Sequence, residues 1–537
     1  MKRRDFVKAL PLTALVPVAL AAVAKTAGAA DALPQDTVAR NTQIAQAKGG
    51  VASGGSGTRD LPGYAENFLT SDMAGLGPDG KPTGQTAAFT GSSKANAVAE
   101  AAIKHKMKLT TEEEAILKGS EGPEKAKLMQ IVVKMGNTFG AEKLVELGGA
   151  PHSNMYIGAG YLSSMIKMLD ECAKAGLKSY APYTVNPRPY DVYNVQNNAK
   201  DMELIYEGYP LQKDLDYVHS RLGAPDLNLR TCACYLDEVG NAPKPGTYVA
   251  WAESSAVNFG NSALGIRTNR NGAGMVEISA MLGKAPLFGL MTDEGRKAQW
   301  LVEVKTSKEP DWGAIGTAIG RKCVEDVPYI TGLDKYFKGG KVTADNLHLL
   351  KAMGSATASS GAVGLYHVEG VTPDAKEKGK KLLLKGYKTY VIDDKEQTRI
   401  IDTFPNLWPK KDDDPTAAFI GCPHNSYHEV IKWGKLVTAA LDKAGKKETA
   451  IPVYMFMPNP VRARVIEEEG ELASKMLRVG MRSTNMCSVS YAGMKGFSDR
   501  VRGITNSAKT RNYSTLRYFP DEILVQAIVT GKIPKGA

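Results

Sequence analysis

The sequence predicts an α/β fold with largely parallel sheets. Helical and strand-like patterns alternate from about Leu109 to the C-terminus, and this alternation is typical of layered α/β proteins. Segments 389–394 and 452–457 have the apolar and aromatic character of strands, whereas segments 161–175 and 426–444 place apolar residues at helical spacing. A chain of 537 residues with 43% hydrophobic residues is long enough for two or three domains around a large core.

Residues 1–30 have the features of an export signal. The paired arginines Arg3 and Arg4 precede Phe6, and a weakly apolar stretch over residues 9–24 leads to small residues around Gly28. This arrangement resembles a bacterial twin-arginine signal, a route that exports folded proteins, often with their cofactor in place. An ordinary secretory signal and an uncleaved anchor are the alternatives. We therefore expect a periplasmic protein with no stable membrane span once the signal is removed.

Residues 31–108 and 109–537 differ in character. The first segment is rich in Gly, Ala, Ser and Thr, with a glycine-rich stretch at 49–57, and is predicted to be a linker or extension. The second begins with Thr110-x-x-Glu113, which has the spacing of a capping box at a helix start. Pro123 suits the first turn of the next helix. Residues 109–537 are therefore predicted to be the folded body of the protein.

The charge pattern bears on the kind of partner. The formal net charge is +11 at pH 7, and part of it lies in the basic residues of the export signal. The remaining charge is spread along the chain and is not interleaved with aromatic residues, so nucleic-acid binding is not expected. A moderately basic protein of this kind favours an anionic small-molecule substrate.

The six cysteines fall into two groups. Cys172 and Cys323 follow apolar residues at helical spacing, which predicts buried core thiols. Cys422 instead lies in the Gly-Cys-Pro-His motif of residues 421–424, between an apolar strand-like run and a helical segment. A thiolate there is stabilised by the helix dipole, and open α/β sheets bind their ligands at this edge.

The other three cysteines also lie in loop-like surroundings. Segment 228–236 looks extended, so Cys232 and Cys234 are expected to share one face. Cys487 lies in a polar stretch where a core cysteine has little to pack against. Three separated thiolates are the number that holds a 4Fe-4S cluster with one iron open as a Lewis acid.

From the residue types and their spacing alone, two alternatives to a cluster remain. Cys422-x-His424-x3-His428 offers ligand types that zinc accepts, which would indicate a zinc hydrolase. His424 and His428 also fit a turn residue and a helix-surface residue. The cysteines also fit roles that are unrelated to a metal.

Five stretches of the sequence resemble one family. The longest, at 249–271, reads VAWAESSAVNFGNSALGIRTNRN, and the others lie at 109–114, 361–373, 421–424 and 505–509. They follow one another in the family's order over about four-fifths of the chain. On these motifs the chain resembles the large, catalytic subunit of the aconitase X family.

The resemblance implies a fold and an activity. The fold would be aconitase-like, with several α/β/α lobes around a central iron–sulfur site, and residues 109–537 would form the catalytic region. Known members of the family dehydrate cis-3-hydroxy-L-proline or phosphomevalonate. The expected function is therefore that of an iron–sulfur-dependent hydro-lyase acting on a small hydroxylated carboxylic acid.

The resemblance also implies the cluster ligands. Motif by motif, they correspond to Cys232, Cys422 and Cys487, while Cys234 stands where the family usually has proline. Because family members differ in cluster type, the 4Fe-4S, 3Fe-4S and 2Fe-2S forms are not distinguished.

Catalytic and substrate-binding residues are implied in the same way. The catalytic candidates are Lys509, Ser507, Glu253 and His152. Lys509 and Ser507 lie in a Thr-Asn-Ser-Ala-Lys motif whose alanine replaces the family's glycine. Arginine suits a substrate carboxylate or phosphate because its planar fork binds two oxygens at once. The substrate-binding candidates are Asn261, Ser262, Arg267, Thr268, Asn269, Arg270 and Asn506.

The family further requires a small swivelling domain, fused or separate, that covers the pocket. Residues 31–108 do not resemble this domain, so a separate small subunit is the expected partner. The alternative function is that of a non-catalytic exported protein that binds or senses a ligand on the same fold.

Overall fold

The computed structural model describes residues 105–195, 197–224, 229–494, 496–534 and 536. The predicted export signal, and residues 31–104 of the predicted linker, lie outside the described residues. Within the described part of the chain, no helix combines the length and the apolar character that crossing a bilayer requires.

The N-terminal region is mostly helical. Its helices are α1 (Thr111–Leu117), α2 (Pro123–Thr138), α3 (Ser163–Lys174), α4 (Ala199–Gly208), α5 (Gln212–Leu222), α6 (Ser254–Phe259) and α7 (Met275–Leu282). Its strands are β1 (Leu144–Glu146), β2 (His152–Ser153), β3 (Thr184–Val185) and β4 (Lys284–Pro286). β1 pairs with β4 antiparallel, whereas β2 and β3 are parallel. Thr110 and Glu113 form the predicted capping box, and Pro123 begins α2 as predicted.

A four-stranded sheet follows. Its strands are β5 (Ala298–Val304), β6 (Pro328–Thr331), β7 (His367–Val368) and β8 (Leu383–Ile392), in the spatial order β7-β6-β5-β8. Every pairing in it is parallel. The helices of this region are α8 (Trp312–Cys323), α9 (Leu347–Ser360), α10 (Pro373–Lys378) and α11 (Asp394–Asp402). Gly320 lets α8 approach α9 closely, since a Cβ there would lie 2.6 Å from the Thr357 carbonyl oxygen.

The C-terminal region contains a five-stranded parallel sheet. Its strands are β9 (Ala417–Ile420), β10 (Val453–Phe456), β11 (Met481–Thr484), β12 (Gly503–Thr505) and β13 (Arg517–Tyr518). They lie in the order β11-β10-β9-β12-β13, with only parallel pairings. The helices are α12 (Tyr427–Lys443), α13 (Asn459–Glu468), α14 (Gly470–Arg478), α15 (Ser488–Ala492), α16 (Ala508–Asn512) and α17 (Asp521–Thr530).

The strand order of this last sheet positions the site. The chain runs from β9 outward to β10 and β11, and then returns to β12 on the other side of β9. In open α/β sheets, the carboxyl ends of strands at such a reversal border the ligand-binding crevice. Cys422 follows β9, Cys487 follows β11 and Ser507 follows β12, so all three lie at this edge.

The described structure confirms the α/β prediction and corrects one local expectation. Cys172 and Cys323 are both buried in apolar clusters, as predicted. Segment 228–236 was expected to be extended, but its described residues form a bend and consecutive turns. The Thr231 hydroxyl accepts the Ala233 N–H at 3.0 Å, and such a local side-chain bond favours a turn over a strand.

Candidate active site

Each of the three predicted cluster ligands lies at the start of a turn or helix and is half-buried. Cys422 lies two residues after the end of β9 and precedes α12, whose N-cap Ser426 forms a capping box with Glu429. Cys487 is itself the N-cap residue of α15. Cys232 lies in the bend that leads away from Arg230.

The sulfurs of two of these cysteines accept hydrogen bonds. The His424 N–H donates to the Cys232 Sγ at 3.3 Å, which joins the 232 bend to the Cys422 loop. The Cys487 Sγ accepts the Ser490 N–H and the Ser490 hydroxyl, both at 3.5 Å. Backbone N–H groups directed at sulfur stabilise thiolate charge and are a usual feature of cluster ligands.

Cys422 is close enough to both other cysteines to act on their pKa values. Burial raises the pKa of the Cys232 thiol well above its ordinary value, and the charges of Glu253 and Cys422 add to this effect. Burial also raises the pKa of Cys487, again with a contribution from Cys422. Three thiols that would repel one another as free thiolates have a physical reason to be together if they share positively charged iron.

Three thiols match the donor type and number that hold an iron–sulfur cluster with one open iron. Among the described residues, no three His, Cys, Asp or Glu side chains converge as the ligands of one metal ion would. Cluster thiolates bind separate iron atoms, so they need to surround a volume and not a point.

The zinc alternative does not match the described geometry. His424 is buried, with Nδ1 3.1 Å from the Thr231 hydroxyl and Nε2 3.0 Å from the Met486 carbonyl oxygen. His428 is turned toward Asp345, 3.0 Å away. With both ring nitrogens of His424 engaged, the motif supplies a structural histidine and a surface histidine.

Lys509 and Glu253, two of the predicted catalytic residues, form a buried ion pair beside the cysteines. The Lys509 ammonium also lies 3.3 Å from the hydroxyls of Ser254 and Ser255. Glu253 caps α6 by accepting the Ala256 N–H at 2.7 Å.

The pair is charged despite its burial. Burial opposes ionisation of Glu253, but the Lys509 ammonium and the hydrogen bond from Ser255 hold the pKa of this carboxyl below its ordinary value. Burial likewise opposes protonation of Lys509, and the charges of Glu253, Cys422 and Cys232 raise its pKa nevertheless. A fixed cation therefore faces the cysteines.

The remaining residues of the 505–509 motif play two different roles. The Ser507 hydroxyl donates to the Cys422 carbonyl oxygen at 2.6 Å and accepts the Thr510 N–H at 3.1 Å, which caps α16. It therefore ties the lysine-bearing helix to the cysteine loop. The Asn506 amide donates to Asp521 at 3.0 Å, at the start of α17.

His152 is brought next to the Glu253 segment. Its strand bridges to Trp251, and Nδ1 lies 2.8 Å from the Thr184 hydroxyl. Burial lowers the pKa of His152 to about 4, although Glu253 acts in the opposite direction. The Nε2 atom is buried and has no hydrogen-bond partner among the described residues, so this neutral imidazole keeps one nitrogen available.

The polar residues of the 249–271 signature are mostly engaged within the fold. α6 continues as a buried π-helix over Gly260–Leu264, a feature often found near functional sites. The amide of Asn261 donates to the carbonyl oxygens of Thr268 and Gly364, and the Ser262 hydroxyl accepts the Tyr366 N–H. The hydroxyl of Thr268 and the amide of Asn269 likewise donate to the backbone, to Asn269 and Phe288 respectively. These contacts indicate that the four residues shape the fold around Glu253.

The two signature arginines also have partners away from the cysteines. Arg267 donates to the Met291 carbonyl oxygen at 3.0 Å and pairs with Asp293. Arg270 contacts the Ala362 carbonyl oxygen and lies 3.8 Å from Glu325. The described structure thus does not bring either guanidinium to the cysteine group.

Several residues at the site were missed from the sequence. Tyr156 places its hydroxyl 3.8 Å from the Cys487 sulfur and 2.9 Å from the Ser490 hydroxyl. Lys351 is buried and donates to the His424 carbonyl oxygen at 2.7 Å and to Glu429 at 2.5 Å. A lysine within the apolar and small residues of α9 was the available signal for Lys351, whereas Tyr156 carried none.

A separate pocket of about 460 Å³ lies at the opposite edge of the C-terminal sheet. It is lined by residues at or before the amino ends of β9 and β10, such as Ala417 and Pro452, and by Tyr491 and Phe497. None of the predicted site residues lines it. The residues predicted from sequence therefore lie outside this pocket.

Gly421 fixes the path of the chain into Cys422, and its replacement by alanine should be costly. Its φ is +109°, and an added Cβ would lie 2.5 Å from the Phe456 carbonyl oxygen. We expect Gly421→Ala to lower the free energy of unfolding by at least about 3 kcal/mol and to reduce metal retention. Chemical denaturation and iron content would measure both effects.

Gly445→Ala is the matched control. Gly445 also has positive φ, +63°, but nothing lies within 4 Å of an added Cβ. Alanine there should then lower the free energy of unfolding only by the cost of a left-handed backbone, about 1–2 kcal/mol. The iron content should not change. Equal effects of the two substitutions would contradict a special role for the Gly421 contact.

Family models match most of the described chain. One described as the aconitase X first domain matches residues 106–294, and one described as the aconitase X second domain matches residues 298–402. The two matches together include Glu253 and Cys232, on one side of the site.

Curated proteins similar to the chain are dehydratases. The phosphomevalonate dehydratase large subunit of Thermococcus kodakarensis is 32% identical over 360 residues, which make up 66% of this chain and 83% of that protein. The cis-3-hydroxy-L-proline dehydratase of Pseudomonas aeruginosa is 31% identical over 269 residues, or 49% of this chain and 43% of that protein.

A solved structure extends the similarity to the fold. The crystal structure of Thermococcus kodakaraensis aconitase X in its holo-form matches with a TM-score of 0.64 and 28% identity, covering 79% of this chain and 100% of that chain. This match confirms the predicted aconitase X type of α/β architecture.

Proposed function

The chain belongs to the aconitase X family, and from this premise we propose that it is an iron–sulfur-dependent hydro-lyase acting on a small hydroxylated carboxylic acid. The observation that carries the proposal is the meeting of Cys232, Cys422 and the Lys509–Glu253 pair at one edge of the C-terminal sheet. The relatives named as dehydratases support the reaction type.

Cys232, Cys422 and Cys487 are the residues that would hold the cluster. When bound, an iron–sulfur cluster with an open iron supplies a Lewis acid for the leaving hydroxyl of the substrate. The N–H groups of His424 and Ser490, which donate to two of these sulfurs, stabilise the thiolate charge that binding requires.

Lys509 supplies fixed positive charge. Its ammonium is oriented by Glu253 and by two serine hydroxyls, so little reorganisation is needed when negative charge develops on a carboxylate whose α-proton departs. The protonated Lys509 has no lone pair to accept that proton, and the ammonium lowers the pKa of the Glu253 carboxyl, which makes this carboxylate a weak base. Ser507 is also unsuited to this role, since its hydroxyl is directed at the Cys422 carbonyl oxygen.

We assign the proton-accepting group to a separate small subunit that covers the site. The curated relatives from several archaea are named large subunits, which supports a two-chain assembly. We further propose that residues 1–30, with Arg3 and Arg4, direct export by a twin-arginine-type signal, so that the protein acts in the periplasm.

One experiment tests these proposals together. The chain would be purified anaerobically from the periplasmic fraction, assayed for iron and acid-labile sulfide, and examined by electron paramagnetic resonance. Dehydration of phosphomevalonate and of cis-3-hydroxy-L-proline would then be measured with and without a candidate small subunit. We expect iron and sulfide in the protein as isolated, and turnover only with the partner. A folded periplasmic protein without iron would instead favour an exported binding or sensing role.

A further inference from the structure

Arg188 lies beside Cys487 in a stiff loop. The loop leaves β3 as Asn186-Pro187-Arg188-Pro189, and the Cys487 N–H donates to the Arg188 carbonyl oxygen at 2.7 Å. Proline on each side restricts the backbone before and after Arg188. The main chain of this arginine is therefore fixed next to a candidate cluster ligand.

The guanidinium of Arg188 is held from one side only. Its Nε and Nη2 donate to Asp216 Oδ2 at 2.8 and 2.7 Å. The side chain is 39% exposed, and among the described residues Nη1 has no hydrogen-bond partner. Part of the planar fork is thus fixed in orientation and still open to solvent.

Asp216 is held in turn by groups behind it. Its Oδ1 accepts from the Nη2 of Arg230 at 2.6 Å and from the Gln212 amide at 3.0 Å. Arg230 is buried, and its Nε and Nη1 have no hydrogen-bond partner among the described residues. Arg230 also lies two residues before Cys232, so this group borders two of the three cysteines.

The charges in this group do not balance. Two guanidiniums share one carboxylate, and among the described residues neither has a second ion-pair partner. Among the described residues, one positive charge is therefore left over at the edge of the cysteine site, and its solvent-accessible part is the Arg188 fork. Asp293 is likewise shared, by Arg267 and Lys378, but the Arg267 side chain is only 18% exposed and also donates to the Met291 carbonyl oxygen.

We propose that Arg188 binds the anionic group of the substrate, a carboxylate or a phosphate, and that Asp216 and Arg230 are positioning residues for it. That the bound anion belongs to a substrate rests on the proposed dehydratase function, whereas the existence of the anion site does not. A planar fork held on one edge is preorganised to bind two anionic oxygens with its remaining donors.

A protection experiment tests the anion site without turnover. The iron-loaded protein would be treated with phenylglyoxal, and modification of Arg188 and Arg399 would be followed by mass spectrometry. Arg399 is exposed and paired with Glu396 on α11, so it is the internal control. Phosphate, malonate, phosphomevalonate and cis-3-hydroxy-L-proline would be the probes. We expect at least one of them to slow modification at Arg188 and to leave Arg399 unaffected.

Kinetics with the small subunit test the assignment to substrate. Arg188→Gln is expected to raise KM about 10- to 100-fold, the size expected when a charge-assisted bond is lost, with a smaller change in kcat. Arg188→Lys should fall between this variant and the wild type, because it keeps the charge but loses the fork. Arg399→Gln should leave KM unchanged. Iron and sulfide content should be the same in all of them, which separates the effect from loss of the cluster.

The outcomes separate this inference from the proposed function. If no probe protects Arg188, or if KM of an active Arg188→Gln enzyme stays within about twofold of the wild type, the inference is wrong even though the enzyme dehydrates its substrate. If phosphate or malonate protects Arg188 but neither hydroxy acid is turned over, the anion site stands and the dehydratase assignment fails for these substrates. Protection by inorganic phosphate but not by malonate identifies a phosphate as the bound group, and protection by malonate or cis-3-hydroxy-L-proline but not by phosphate identifies a carboxylate.

Discussion

Replacing Cys422 or Cys487 by serine is expected to remove most of the iron and acid-labile sulfide from the purified protein. Each residue lies at the carboxyl end of a strand of the C-terminal sheet, and Cys422 acts electrostatically on both other thiols. A serine hydroxyl is a much weaker acid and a harder ligand than a thiol, so it does not replace a thiolate on iron. Dehydratase activity should fall by on the order of 100-fold or more.

Cys172→Ala is the control for this prediction. Cys172 is buried on α3 in an apolar cluster that contains none of the three predicted ligands. Its replacement should therefore cost about 1 kcal/mol of stability and leave the iron content unchanged. Iron, sulfide and the electron paramagnetic resonance spectrum would be measured on anaerobically prepared samples of all variants. Full iron content in both Cys422→Ser and Cys487→Ser would show that these thiols do not hold the metal.

Replacing Lys509 by methionine is expected to destabilise the protein by about 3–5 kcal/mol, because it leaves the buried Glu253 carboxylate without its partner. The ion pair is almost completely shielded from water, with 9% and 6% of the two side chains exposed. Activity should be lost as well, since the fixed cation at the cysteine site disappears. Denaturant unfolding and turnover with the small subunit would measure the two effects.

A double variant distinguishes the two consequences. In Lys509→Met combined with Glu253→Gln, the uncompensated charge is absent, so much of the stability should return while activity should not. Lys475→Ala removes one member of an exposed pair with Asp442 and should change stability by less than about 1 kcal/mol. If Lys509→Met behaved like Lys475→Ala, the described ion pair would carry little energy and its proposed role would be wrong.

The elements predicted most accurately depend on short-range patterns. A capping box needs only two residues three positions apart, which is why Thr110 with Glu113 was readable in the sequence. The burial of Cys172 and Cys323 follows from helical periodicity. Segment 228–236 was misjudged because a hydroxyl-to-backbone bond from Thr231 competes with extension, and apolar content does not reveal it.

By itself, the sequence determined the fold class, the placement of Cys422 between a strand and a helix, and the residue types that carry the proposed chemistry. The tertiary structure decided which of these residues meet. Glu253 and Lys509 are separated by 256 positions in the chain. The strand order β11-β10-β9-β12-β13 returns Lys509 to the side of β9, and the helices that begin beside Glu253 and Lys509, α6 and α16, both pack against α9. The tertiary structure also pairs Arg267 with Asp293 and leaves excess positive charge at Arg188, beside Cys487. Periodicity and capping act over three or four residues, whereas pairing between distant charges depends on how sheets and loops pack, for which a single sequence has no local pattern.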